Sequence, residues 1–134
     1  MPARGIPLLV VLACIGVACV TAGPRREARD RTRLTRQEIM SVDAPTLYDV
    51  VLRLRPRWIE ADRRAGRGEF GVGRGVVVYQ GQTYLGGIAM LRQLKPSMAH
   101  ELRWLDGPTA SATLPTLHGG RVAGAIVVHV NPGR

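Results

Sequence analysis

Apolar positions along the chain change period from segment to segment, and each period predicts a different element. Residues 6–20 form a nearly unbroken apolar run, followed at once by Pro24-Arg25-Arg26. Residues 23–33 are charged and aperiodic, which reads as a flexible tether, so the folded part is expected over 34–134. Thr35 and Glu38 have the spacing of a capping box and predict a short helical turn through Ile39 and Met40. Leu47, Val50, Val51 and Leu54 recur at helical spacing and predict an amphipathic helix. Pro45 suits its first position, and Pro56 reads as its end. Trp58 and Ile59 are expected to fold back over the core, and residues 60–75, rich in Arg and Gly, to form a loop.

Residues 76–79 are β-branched and then aromatic, a strong strand signal. Gly81-Gln82 predicts a turn and residues 83–85 a returning strand. Gly86-Gly87 is expected to break the chain before a small helix over 88–94 that Pro96 stops. Residues 100–105 alternate, with Leu102 and Trp104 on one face and Glu101 and Arg103 on the other, as in a half-buried strand. Asp106-Gly107-Pro108 reads as a turn into a small-residue segment over 109–117, and residues 125–130 as a buried strand. A few short strands in a mixed sheet with two or three short helices make a small α+β domain.

The leading apolar run is too short for a comfortable membrane span. With Arg4 before it and small residues after it, residues 1–22 have the layout of a secretory signal, which predicts export. Two cleavage routes stay open. Val20-Thr21-Ala22 fits cutting before Gly23, whereas Gly16-Val17-Ala18-Cys19 is similar to a bacterial lipobox, in which Cys19 would be acylated. Both cysteines, Cys14 and Cys19, lie in this segment, so the mature domain is expected to carry no disulfide. The expected location is the periplasm or the periplasmic face of the outer membrane, lipid-anchored if the Cys19 route is taken.

The formal net charge is +9, and Lys95 is the only lysine. Guanidinium groups bind phosphates and carboxylates bidentately, so anionic partners are one reading of the excess. A coding bias toward arginine gives the same composition. His100, His118 and His129 lack metal-site spacing, the carboxylates are scattered, and the serines lack a nucleophile-elbow context. No catalysis, cofactor or metal is therefore expected. The glycines at 66, 68, 71, 73 and 75 precede a strand, whereas a dinucleotide loop follows one. Phe70 is the one aromatic among the basic residues of that loop, and nucleic acid is not expected as a partner. Candidate ligand- or partner-binding positions lie in loops: Arg63, Arg64, Arg67 and Arg74, Tyr84 with Gly86 and Gly87, and His118 with Arg121. Two other classes stay open, a small periplasmic enzyme using His100, His118 and a carboxylate, and an arginine-mediated binder of lipid headgroups.

The order of elements carries a resemblance. Val76-Val77-Val78-Tyr79-Gln80-Gly81, Leu91 to Leu94, Glu101-Leu102-Arg103-Trp104-Leu105-Asp106-Gly107-Pro108 and Gly124-Ala125-Ile126-Val127-Val128-His129-Val130 together resemble the plug domain of TonB-dependent outer-membrane receptors. Thr35 to Glu38 and Leu47 to Leu54 look like the plug's opening helices, so the likeness spans residues 34–131. In that family a strand ends in an Asp-Gly turn, a later strand runs into a Gly-Pro or Gly-Ala segment, and a glycine opens the final strand. This chain has Gln80 where the family has aspartate, no TonB box before the domain, and no barrel strands after it. The resemblance implies a stand-alone plug-like fold in the envelope. It implies an envelope protein, such as an outer-membrane barrel, or a small ligand as partner.

Overall fold

The computed structural model describes residues 30–66, 74–115, 117 and 120–131. The expected signal segment, Cys19, Arg67 and His118 lie outside the described residues. Five strands form one mixed sheet in the order β1-β4-β5-β2-β3. They are β1 (Arg33–Thr35), β2 (Arg74–Gln80), β3 (Thr83–Gly87), β4 (Ala99–Asp106) and β5 (Val122–Val130). β5 lies between an antiparallel β4 and a parallel β2, while β1 and β3 are antiparallel edges. The domain is α+β.

Alternation along the strands sends side chains to two cores. Val76, Val78, Leu102, Ile126 and Val128 face one, and Val77, Tyr79, Ala125 and Val127 face the other. β2 and β5 are thus covered on both faces, which is why their sequences read as unbroken apolar runs. The larger core is closed by α1 (Arg36–Met40), α2 (Leu47–Leu54) and α3 (Pro56–Ala65), through Ile39, Leu47, Val50, Val51, Trp58 and Ile59. The smaller is closed by α4 (Gly107–Thr113) and the chain after it, through Ala110, Leu114 and Leu117.

The capping box forms as its spacing predicts. The Glu38 amide donates to Thr35 Oγ1 at 3.3 Å, and the Thr35 amide donates to Glu38 Oε2 at 2.9 Å. α2 also forms, with Leu47, Val50 and Val51 buried, but Pro45 lies outside it. Thr46 is its cap, accepting from the Asp49 amide at 3.3 Å, because a hydroxyl satisfies an orphan donor that proline cannot.

Four other expectations are corrected. α2 ends just before Pro56 as expected, but Pro56 itself starts α3, and residues 60–65 belong to that helix rather than to a loop. A proline fits the first helical position because the N–H it lacks has no acceptor there. Asp106-Gly107-Pro108 is likewise a helix start, with the Asp106 carboxylate accepting from the Thr109 amide at 2.8 Å. Gly86 and Gly87 complete β3, where Gly86 adopts a φ of 143° open to glycine. Pro96 begins a second 3₁₀ turn, Pro96–Met98, after a first over Ile88–Arg92.

The ordered fold also reaches further back than residue 34. Asp30 accepts from both the amide and the hydroxyl of Thr32, at 2.9 and 2.7 Å. The Trp104 amide donates to the Thr32 carbonyl at 2.7 Å, which extends the β1 edge backwards. Among the described residues, no helix is long and apolar enough to cross a membrane.

Candidate functional site

The candidate positions read from the sequence do not converge on one site. Arg63 and Arg64 are exposed near the C-terminal end of α3, where Arg64 pairs with Glu60 at 3.1 Å. Arg74 opens β2 in register with Val122, so exposed Arg121 lies at the same end of the sheet. Tyr84 lies toward the other end, in register with Tyr79, with its ring edge-on to Tyr79 at 5.5 Å. Gly86 and Gly87 follow it on the β3 edge. His100 and His129 are both exposed, and Glu101 stands opposite His129 across β4 and β5. No group of three or more metal-ligating side chains forms among the described residues.

A more definite feature lies where α3 begins. Trp58 in the first turn of α3 stacks on Trp104 of β4, with ring centroids 5.7 Å apart and planes 19° apart. The Trp58 indole N–H donates to the Arg31 carbonyl at 3.2 Å, which fixes that ring. Gly124 of β5 supplies the space for Trp104, since a Cβ there would lie 2.5 Å from the far edge of the indole. Beside this pair runs a groove of about 560 Å³, lined by Arg31, Thr32, Leu54, Arg55, Pro56, Arg57, Trp58 and Trp104. A second groove of about 530 Å³ shares Thr32 and Trp104 with the first, and there Asp30 and Asp106 accompany Arg33 and Arg103.

The arginines near the first groove have different roles. Arg55 is structural. Its guanidinium donates to the carbonyls of Asp30, Arg33 and Leu54 at 2.9, 3.0 and 3.0 Å and to Glu38 Oε1 at 3.2 Å. Its Nε is buried without a hydrogen-bond partner. Arg33 and Arg103 share Glu101, at 2.7 and 3.3 Å. Arg31 and Arg57 pair with no carboxylate among the described residues, and both line the groove.

Three carboxylates are held below their usual range. Burial pushes Glu38 up, but the Thr35 amide and the Arg55 guanidinium outweigh it. Asp30 is lowered by its bonds to the side chain and amide of Thr32, and Asp106 by those to Thr109. All three stay ionised as turn and helix caps, a structural task rather than proton transfer.

Sequence reasoning missed Arg31, read as tether, and Arg57, which follows the proline read as a helix end. It placed Trp58 and Trp104 against the core without pairing them. A signal was present in Pro56-Arg57, because a cation directly after an N1 proline opposes the positive end of the helix it begins. Comparison of the chain with protein-family models, with curated proteins and with solved structures gives no match.

Proposed function

We propose that this chain is a non-catalytic binding module of the bacterial cell envelope, built like the plug domain of TonB-dependent receptors. The observation that carries this reading is the run of elements from β2 to β5. A hairpin turns at Gly81-Gln82, a 3₁₀ turn includes Leu91, and β4 runs into Asp106-Gly107-Pro108. A helix of small residues follows, and β5 carries Gly124 ahead of its β-branched run. This order of elements is what supports the reading. The partner is an envelope protein, such as an outer-membrane barrel, and acylation of Cys19 would hold the module at the periplasmic face.

Affinity capture of the tagged full chain from its own envelope, with crosslinking and mass spectrometry of the mature N-terminus, tests this reading. Reproducible capture of an outer-membrane barrel, with Cys19 acylated at the new N-terminus, is the expected result. A soluble protein starting at Gly23 with no reproducible partner would overturn the anchored accessory role.

A further inference from the structure

We propose that the groove beside the Trp58–Trp104 pair binds a small carboxylate with a flat apolar body, an aromatic acid in chemical class. This goes beyond the envelope-module reading and does not depend on it.

The walls supply the apolar half of the match: Leu54, Pro56 and the two indoles line a groove of about 560 Å³. That size lies within the roughly 300–1,000 Å³ usual for small-molecule sites. The indoles are already ordered, Trp58 by its bond to the Arg31 carbonyl and both by their stacking. Little conformational entropy is left to lose when a planar ligand docks.

The charges supply the other half. Arg33, Arg55, Arg64 and Arg103 each have a carboxylate partner. Arg36 and Arg53 donate to carbonyls, and Arg92 lies over the Tyr48 ring. Arg31, Arg57, Arg63 and Arg121 have none of these, and of the four Arg31 and Arg57 stand in the groove. Arg57 is moreover in the first turn of α3, which has no acidic residue and no side-chain cap. A cation there is repelled by the helix's positive end, and a bound anion would relieve both the helix and the arginine. Local rules broken without internal compensation are expected at functional sites.

Charge also decides between occupants. The segment just before Asp30 carries Arg25, Arg26 and Arg29 against Glu27, so its net sign is that of the groove. A neutral aromatic would leave both guanidiniums uncompensated, and a bare inorganic anion would leave the indoles unused. A carboxylate, unlike either, can be held by the planar guanidinium fork while its ring meets the apolar wall.

Trp58 and Trp104 are the only tryptophans of the chain, so two indole N–H resonances report on this site. Titration of the full chain with 2-naphthoate should shift the Trp104 indole signal saturably in the millimolar range or below. Arg31→Ala combined with Arg57→Ala should weaken binding about tenfold or more with unchanged circular dichroism, since both side chains lack carboxylate partners. Lys95→Ala should bind like the parent. Three results would overturn the assignment: no saturable shift, equal binding of neutral 2-naphthalenemethanol, or undiminished binding by the double variant. Inorganic phosphate alone reproducing the shift would also overturn it, as a simple anion site.

Discussion

At the scale of single residues, the Arg55 guanidinium joins the turn at Asp30, the strand β1 and the Glu38 cap, and so ties the start of the fold to the α2–α3 corner. Its side chain is only 11% exposed, so removing it would take a donor from three carbonyls and a carboxylate. Arg55→Ala should lower the unfolding free energy by about 2–4 kcal/mol in denaturant titration. Arg55→Lys should restore only part of this, since an ammonium cannot serve the same fork of acceptors. Glu38 adds a pH dependence. Its carboxyl is lowered in the fold, so its contribution is complete above the unfolded value of about 4.3 and is lost as pH falls toward the lower folded value. The thermal midpoint should therefore hold steady from neutrality to about pH 5 and drop below about pH 4. Glu38→Gln should flatten part of that drop, and a midpoint that rises on acidification would contradict the assignment. At Gly124, alanine would press on the Trp104 ring. Gly124→Ala should disturb the near-ultraviolet circular dichroism of the indole pair and cost about 1–3 kcal/mol.

At the scale of elements, strands were more legible than helices. Residues 76–79 and 100–105 announced themselves through β-branching and alternation, and both fall inside observed strands. α3 was obscured by Pro56, since a proline after an apolar helical face looks like a stop until the next helix is known to start on it. Its buried residues are the neighbours Trp58 and Ile59, and only the small side chains of Ala61 and Ala65 continue their face among the charges, so the apolar stripe is faint. What fixes it is tertiary: the Asp62 carboxylate accepts from the Val76 amide at 2.7 Å and joins α3 to β2. Asp62→Ala should cost about 1–3 kcal/mol, and Asp62→Asn, which keeps an acceptor, should cost less. α4 was obscured differently, because Gly-Pro-Thr-Ala-Ser-Ala-Thr has weak helix propensity apart from its two alanines. Its buried residues are Gly107 and Ala110, so little apolar area holds it down. In native-state hydrogen exchange, α4 amides should open at a lower free energy than those of β2 and β5.

At the scale of the whole molecule, the sequence conveyed the α+β class and the resemblance but not the site. The candidate arginines were chosen because a loop rich in Arg and Gly stands out, yet Arg63 and Arg64 lie on a helix and Tyr84 lies toward the other end of the sheet from Arg121. The groove depends on residues 31, 57 and 104 meeting across the fold, and no spacing along the chain encodes that distance.

β5 occupies the middle of the sheet, yet among the described residues it is the last strand in chain order. Synthesis from the N-terminus therefore delivers β2, β3 and β4 before the strand that bridges them. Until residues 122–130 are released, β2 and β4 have no common neighbour and each keeps an open edge. Order of manufacture and order of assembly are opposed. A nascent chain of this protein would hold its sheet as two separate halves, β1 with β4 and β2 with β3, and close it in one late event when β5 arrives.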